Sequence, residues 1–236
     1  MKLRNAWEQN APDWVRWARA PGHDSYWRFH RERFLALLPE PGRLTLDVGC
    51  GEGRVTRDLR DLGHQVIGID SSETMIAAAR EADPGAEYLV ADAAALPFPD
   101  GHADLVIAFM SLMDVDDMAG AVAELARVLE PGGRLAIAVV HPINSGHDID
   151  REHPDDGLVL TKDYFDRRYY RDEVEHAGLR MTFESRHWTL EDYFEAIARA
   201  GLRVEALREI PDPAHPRWSR YPLFLHLRAA KASQPG

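Results

Sequence analysis

Short apolar runs alternate with stretches of helical period over the first two-thirds of the chain. Leu44-Thr-Leu-Asp-Val48 reads as a buried strand, and beyond its glycine turn Val55, Leu59 and Leu62 share one helix face. Gln65–Asp70 predicts a second strand. Gly63 stops the helix before it, and Ser71 or Ser72 can cap a helix that turns Met75, Ile76 and Ala79 inward. Further strands are predicted over Glu87–Ala91, running into Asp92, over Ala103–Phe109 and over Arg134–Val140. Between the last two, Val122, Leu125, Val128 and Leu129 form the stripe of a helix from Met118 to Leu129, stopped by Pro131-Gly-Gly133. Near-continuous apolar strands alternating with helices predict a parallel sheet covered on both faces.

Past His141 the pattern breaks. Residues 142–180, rich in Asp, His, Gly, Arg and Tyr, show no clear period and read as an inserted loop or small cap. Regularity returns at Met181–Ser185, followed by a helix around Leu190–Ala200, a strand over Leu202–Ile210 and a last strand over Leu223–Leu227. The proline-rich stretch between those two strands suits the loop of an antiparallel hairpin at the sheet edge. Residues 3–38 form a helical preface carrying Trp7, Trp14, Trp17, Trp27 and Phe29. Tryptophans there can pack on a sheet edge or close over a ligand, and their density favours a lid. The expected organisation is one domain: a lid (1–38), a ligand-binding core (39–141), a cap inserted after strand five (142–188), and a final helix and strands (189–236).

Charge narrows the partners. A formal net charge of −11 argues against a partner held mainly through phosphates. The cations Arg167, Arg168 and Arg171 are interrupted by Asp163, Asp166, Asp172 and Glu173, as on a solvated surface. Cys50 is the single cysteine, so no intramolecular disulfide can form, which suits a reducing cytoplasm. The N-terminus lacks the apolar core of a signal peptide, and no apolar run reaches the length of a membrane span. A cytoplasmic protein that binds neither membrane nor nucleic acid is expected.

The first strand ends in the run Asp47-Val-Gly-Cys-Gly-Glu-Gly-Arg54, where Gly49, Gly51 and Gly53 let the backbone turn sharply and a ligand approach closely. The amides opening the next helix are free to meet an electron-rich group. A dinucleotide site wants G-x-G-x-x-G, but Arg54 stands in the place of the third glycine; a P-loop wants Gly-Lys-Ser/Thr, which is absent. Asp47, Asp70 and Asp92 close three successive strands and crowd one edge. Such anions repel one another unless a ligand spends its donors on them. Asp70 sits where an acid accepts both hydroxyls of a ribose.

Asp-Val-Gly-Cys-Gly-Glu-Gly resembles motif I of the class I S-adenosylmethionine-dependent methyltransferases. The likeness runs from Leu44 to Val140 through Ile-Gly-Ile-Asp-Ser, Ala-Asp-Ala-Ala-Ala-Leu-Pro-Phe-Pro-Asp, Asp-Leu-Val-Ile-Ala and Arg-Val-Leu-Glu-Pro-Gly-Gly-Arg-Leu. Together these resemble the methyltransferase type 11 group, which includes the quinone C-methyltransferases. The resemblance implies an α/β, doubly wound, mostly parallel seven-stranded sheet with an antiparallel last strand. It implies S-adenosylmethionine as cofactor, S-adenosylhomocysteine as product, and a site made of Asp47, Gly49, Cys50, Gly51, Asp70, Ser71, Met75, Asp92, Ala93, Phe109 and Met110. In it Asp47 and the glycine turn would take the methionine end, Asp70 the ribose, Asp92 the adenine amino group, and Phe109 and Met110 the sulfonium. The chain departs from the pattern at Leu112-Met-Asp-Val-Asp116, where relatives often carry a histidine.

A sulfonium is already an activated electrophile, so alignment and exclusion of water are the protein's main tasks. A base is required only when the acceptor holds a proton at neutral pH. His141, after the fifth strand, is the first candidate, with a hydrogen-bonded turn histidine before Pro142 as the plain alternative. Tyr164 and His187 come next, with His30 and Tyr169. The spacing of His147, Asp148, Asp150 and His153 matches no metal-ligand pattern, so no metal is expected. Ala-Phe-Met-Ser after strand four lacks the Asn/Asp-Pro-Pro-Tyr/Phe of amino-directed nucleobase enzymes. The expected activity is methyl transfer to an N, O or C atom of a small, aromatic or metabolite-sized acceptor. The alternative is a catalytically silent S-adenosylmethionine-binding regulatory or partner protein. An NAD-linked oxidoreductase is disfavoured by Arg54 and Asp92, and the oligomeric state stays open.

Overall fold

The computed structural model describes residues 2–146 and 162–233. The helical preface comprises α1 (Leu3–Arg19), a π-helical turn (Tyr26–His30) and α2 (Arg31–Leu35). The core follows as β1 (Thr45–Val48), α3 (Arg54–Asp61), β2 (Val66–Asp70), α4 (Glu73–Ala82), β3 (Glu87–Val90), β4 (Ala103–Phe109), α5 (Met118–Val128) and β5 (Leu129–Val140). After it come α6 (Pro142–Ser145), β6 (Tyr169–His176), β7 (Leu179–Arg186), α7 (Leu190–Arg199), β8 (Leu202–Ile210) and β9 (Phe224–Lys231). The cluster His147, Asp148, Asp150 and His153 lies outside the described residues.

Seven strands form one sheet in the order β3-β2-β1-β4-β5-β9-β8. The first five run parallel, and β9 is antiparallel to both β5 and β8, so the expected doubly wound sheet with an antiparallel last strand is present. Strand alternation sends Val106 and Ala108 of β4 to one face, where α5 and α7 bury Leu125, Val128 and Ile197. Leu105, Ile107 and Phe109 go to the other, under Val55 and Leu59 of α3 and under Tyr26 and Phe34. The chain order reverses between β1 and β4. That switch point opens a crevice at the carboxyl ends of the strands.

The stretch read as a loop or cap contains a two-stranded antiparallel hairpin, β6–β7, separate from the main sheet. β6 has the sequence Tyr-Tyr-Arg-Asp-Glu-Val-Glu-His and is mostly exposed, which is why no apolar alternation announces it. α1 lies against β7: the Trp7 indole N–H donates to the Glu184 carbonyl at 2.9 Å, and the Asn10 amide to the Thr182 carbonyl at 3.2 Å. On its other side Glu8 accepts from the hydroxyls of Ser72 and Thr74 at the start of α4. The preface thereby bridges the sheet and the hairpin.

Candidate active site

At the switch point lies a cavity of about 640 Å³. Its floor is the turn after β1. Gly49 and Gly51 have φ of 77° and 55°, in the left-handed region that favours glycine. A Cβ on Gly49 would stand 2.3 Å from Ser111 Cβ, and one on Gly51 would stand 3.3 Å from Trp14 Nε1. The turn is thus closed in by Ser111, just past β4, on one side and by α1 on the other. Cys50, between the two glycines, is buried, and burial pushes its thiol up, which suits a packed small residue and not a nucleophile.

Three acids converge on this floor. Asp47 is 1% exposed; the Thr56 hydroxyl donates to Oδ2 at 2.6 Å, and Oδ1 finds no partner among the described residues. Burial, with the nearby Asp70 charge adding to it, pushes its pKa up to about 7. Asp70 receives the Gly51 amide on Oδ2 and the Ser72 amide on Oδ1, both at 2.9 Å, which locks the glycine turn to the end of β2. Burial raises its pKa too. Asp92, just after β3, is exposed and accepts from the Ala94 amide at 2.9 Å. Ser71, Met75 and Ala93 line the same wall, and so do Phe109 and Met110. Met110 is held at φ 52°, an uncommon conformation for a residue with a side chain, while its amide donates to the Ala138 carbonyl at 2.8 Å. All eleven residues of the expected cofactor site therefore border one cavity.

The roof comes from segments far apart in sequence. Trp7 and Trp14 meet edge to face with centroids 6.0 Å apart, and Trp14 meets Phe183 of β7 at the same distance. Trp17 and Tyr170 also reach the cavity, whereas Trp27 is 59% exposed elsewhere. Arg54, in the place of a third glycine, pairs with the buried Asp24, and its guanidinium lies 5.0 Å from the ring centroids of both Trp14 and Tyr26. It ties the helical preface to the glycine turn.

The three base candidates stand outside the cavity. His141 Nδ1 accepts the Ile143 amide at 3.1 Å and so caps α6; its Nε2 lies 3.2 Å from Glu209, and burial lowers its pKa. His187 bonds Ser145 Oγ through Nδ1 and the Tyr164 carbonyl through Nε2, each at 2.8 Å. The Tyr164 hydroxyl accepts the Leu190 amide at 3.0 Å, at the start of α7. These groups staple α6 and the segment before β6 to α7; the work is architectural. His30 is likewise removed, fully buried with Nδ1 2.8 Å from His226 Nε2. Tyr169 is half exposed, its hydroxyl 3.3 Å from Asp116.

What the cavity wall does hold is Asp114, in the 3₁₀ turn Leu112–Asp114 after β4. The Ser185 hydroxyl donates to its Oδ1 at 2.6 Å, and burial holds its carboxyl well above the usual range. Sequence reasoning passed over it. The one signal was the departure at Leu112-Met-Asp-Val-Asp116, exactly four residues past Met110 at its aspartate.

A family model for a methyltransferase domain matches residues 46–137. A trans-aconitate 2-methyltransferase from Acidovorax ebreus is 33% identical over 190 residues, covering 76% of this chain and 68% of that protein. The chain belongs to the class I S-adenosylmethionine-dependent methyltransferases. Within them it falls in the type 11 group. A demethylmenaquinone methyltransferase from Beutenbergia cavernae is 37% identical over 117 residues, which are 50% of this chain and 48% of that protein. The chain thus spans about half the length of this curated relative. Among solved structures, an S-adenosylmethionine-dependent methyltransferase from Mesorhizobium loti superposes with a TM-score of 0.67 at 26% identity, covering 88% of this chain and 98% of that one.

Proposed function

We propose that this protein transfers a methyl group from S-adenosylmethionine to a small molecule held beneath the aromatic roof. The observation that carries the reading is Asp47: a buried carboxyl oxygen without a partner among the described residues, beside a glycine cradle that a Cβ would fill. A ligand ammonium supplies what that oxygen lacks. The chemistry supplied by the bound cofactor is a methyl group already activated on a sulfonium. Asp47 would hold the ammonium, Asp70 would accept the ribose hydroxyls and Asp92 the adenine amino group, while the glycine turn, whose amides are tied to Ile69, Cys50 and Asp70, would give the methionine end room to approach. Phe109 and Met110 flank the sulfur, while Trp7, Trp14 and Phe183 exclude water.

The cavity's size, within the range that encloses metabolite-sized ligands, supports an enzyme over a silent binding module. The acidic chain and single cysteine suit a cytoplasmic protein with no nucleic-acid partner. No helix among the described residues is long and apolar enough to cross a membrane, and those residues hold no metal-binding cluster of His, Cys, Asp and Glu.

Asp70→Ala tests the cofactor assignment. Charged hydrogen bonds contribute about 1.5–3 kcal/mol, so S-adenosylhomocysteine should bind at least about tenfold more weakly by calorimetry. Unchanged affinity in a folded variant would remove Asp70 from the site.

A further inference from the structure

Asp114 is a carboxyl group that burial makes costly and that no cation among the described residues neutralises. The Ser185 hydroxyl donates to it at 2.6 Å, the Trp7 indole is a second hydrogen-bonding neighbour, and the residue lines the cavity. It follows Met110 by a single short turn and lines the same cavity as the groups assigned to the sulfonium. Around it the wall is aromatic: Trp7, Trp14, Tyr170 and Phe183. The Trp7 indole N–H donates to the Glu184 carbonyl and also lies beside the Asp114 carboxyl, and its ring is an electron-rich contact on the cavity wall. Asp116, Asp117 and Asp172 border the same cavity, as do the exposed cations Lys2 and Arg4 and the Asp24-paired Arg54.

We propose that the methyl acceptor is an aromatic amine that arrives as an ammonium cation and is bound by Asp114. This deepens the methyltransferase reading and rests on it. A carboxylate and ring faces in one pocket favour a cation over an anion or a neutral group, through charge-assisted hydrogen bonding and cation–π attraction. An anionic acceptor would instead oppose the ionisation of Asp114 and gain neither contact. That separates this cavity from what the name of the trans-aconitate 2-methyltransferase implies, since trans-aconitate is a tricarboxylate.

The same contact serves the chemistry. An ammonium has no lone pair, so one N–H proton passes to the Asp114 carboxylate. The freed nitrogen pair then forms the new N–C bond as the methyl–sulfur bond breaks, with its electron pair remaining on sulfur. The product is an N-methylammonium ion and a neutral thioether. Burial, which raises the Asp114 carboxyl, makes it the stronger proton acceptor once ionised.

The test uses matched probes on the protein saturated with S-adenosylhomocysteine: phenethylamine and tryptamine against phenylacetate and indole-3-acetate. Calorimetry should show the amines binding at least tenfold more tightly than the acids, and labelled methyl should appear on nitrogen. Asp114→Asn, which keeps an oxygen for Ser185, should weaken amine binding at least tenfold while S-adenosylhomocysteine affinity stays within twofold. The proposal is overturned if the acids bind as well as the amines, if neither amine binds, or if the Asn variant keeps its amine affinity. Failure of wild-type protein to bind S-adenosylhomocysteine would instead overturn the methyltransferase reading beneath it.

Discussion

Asp47 has a carboxyl pKa pushed up to about 7, in the range where pH is easily varied. A ligand ammonium binds the ionised form, so below about pH 7 binding must first displace a proton. S-adenosylhomocysteine affinity should therefore rise from pH 6 to pH 8, by up to about tenfold per unit on the acid side. An ordinary aspartate would be flat over that window, and Asp47→Asn should make it so; calorimetry at three pH values checks both. The acids of the glycine crevice were legible because strand ends in a doubly wound sheet have a fixed position relative to the switch point. Asp114 was not. Its burial is made by Ser185 and Tyr170, brought in by a hairpin whose own strand pattern is hidden by exposed charges. His141 follows β5, on the expected edge, but its Nδ1 is taken up in capping α6 and it is not among the residues that border the cavity.

At the level of elements, the joint between the π-helical turn and β9 is a pair of buried imidazoles, His30 and His226, set among Phe34, Phe109 and Phe224. Burial lowers both pKa values, that of His226 to about 4. A histidine depressed in the folded state contributes stability that is fully present above its unfolded value near 6.5 and is lost as pH falls toward 4. For His226 that contribution is on the order of 3 kcal/mol. This contribution falls away below pH 6.5, against the buried Asp47, Asp70 and Asp114, whose raised carboxyls act in the opposite sense, so it is read from the difference between the wild type and a variant lacking both imidazoles. In His30→Leu/His226→Leu the melting temperature should fall less, or rise more, below pH 6.5 than in the wild type; an unchanged slope would assign the acid sensitivity to other groups, such as His64, His141 or His187, whose pKa values are also lowered by burial. The parallel strands, with their helices, could be read from sequence because each buries a continuous apolar run. The pairing of His30 with His226 could not, since 196 positions separate them.

Over the whole molecule, the sheet and the roof are distinct in what holds them. The two large apolar clusters on either face of the sheet contain no residue of α1. α1 is fixed instead by polar contacts at the rim: Glu8 to Ser72 and Thr74, Arg19 to Glu52 at 3.1 Å, and Trp7 and Asn10 to carbonyls of β7. It does bury Leu3, Ala6, Ala11, Trp17 and Ala18, but outside both of those clusters, and Trp17 packs on Phe183 of the hairpin at the cavity. Removing residues 1–20 should therefore lower the melting temperature by less than about 10 °C, equivalent to a few kcal/mol for a chain of this size. Methyl transfer should suffer far more. Trp7, Trp14 and Trp17 would be gone, water would enter, and acceptor and methyl would lose their alignment, a loss on the order of a hundredfold or greater. Melting curves and single-turnover methyl transfer on the truncated chain measure the two effects side by side. Retained turnover would show that the acceptor is held by the hairpin alone, and collapse of the melting transition would show that α1 belongs to the folding core. A large loss of rate with a small loss of stability is the outcome that a lid requires.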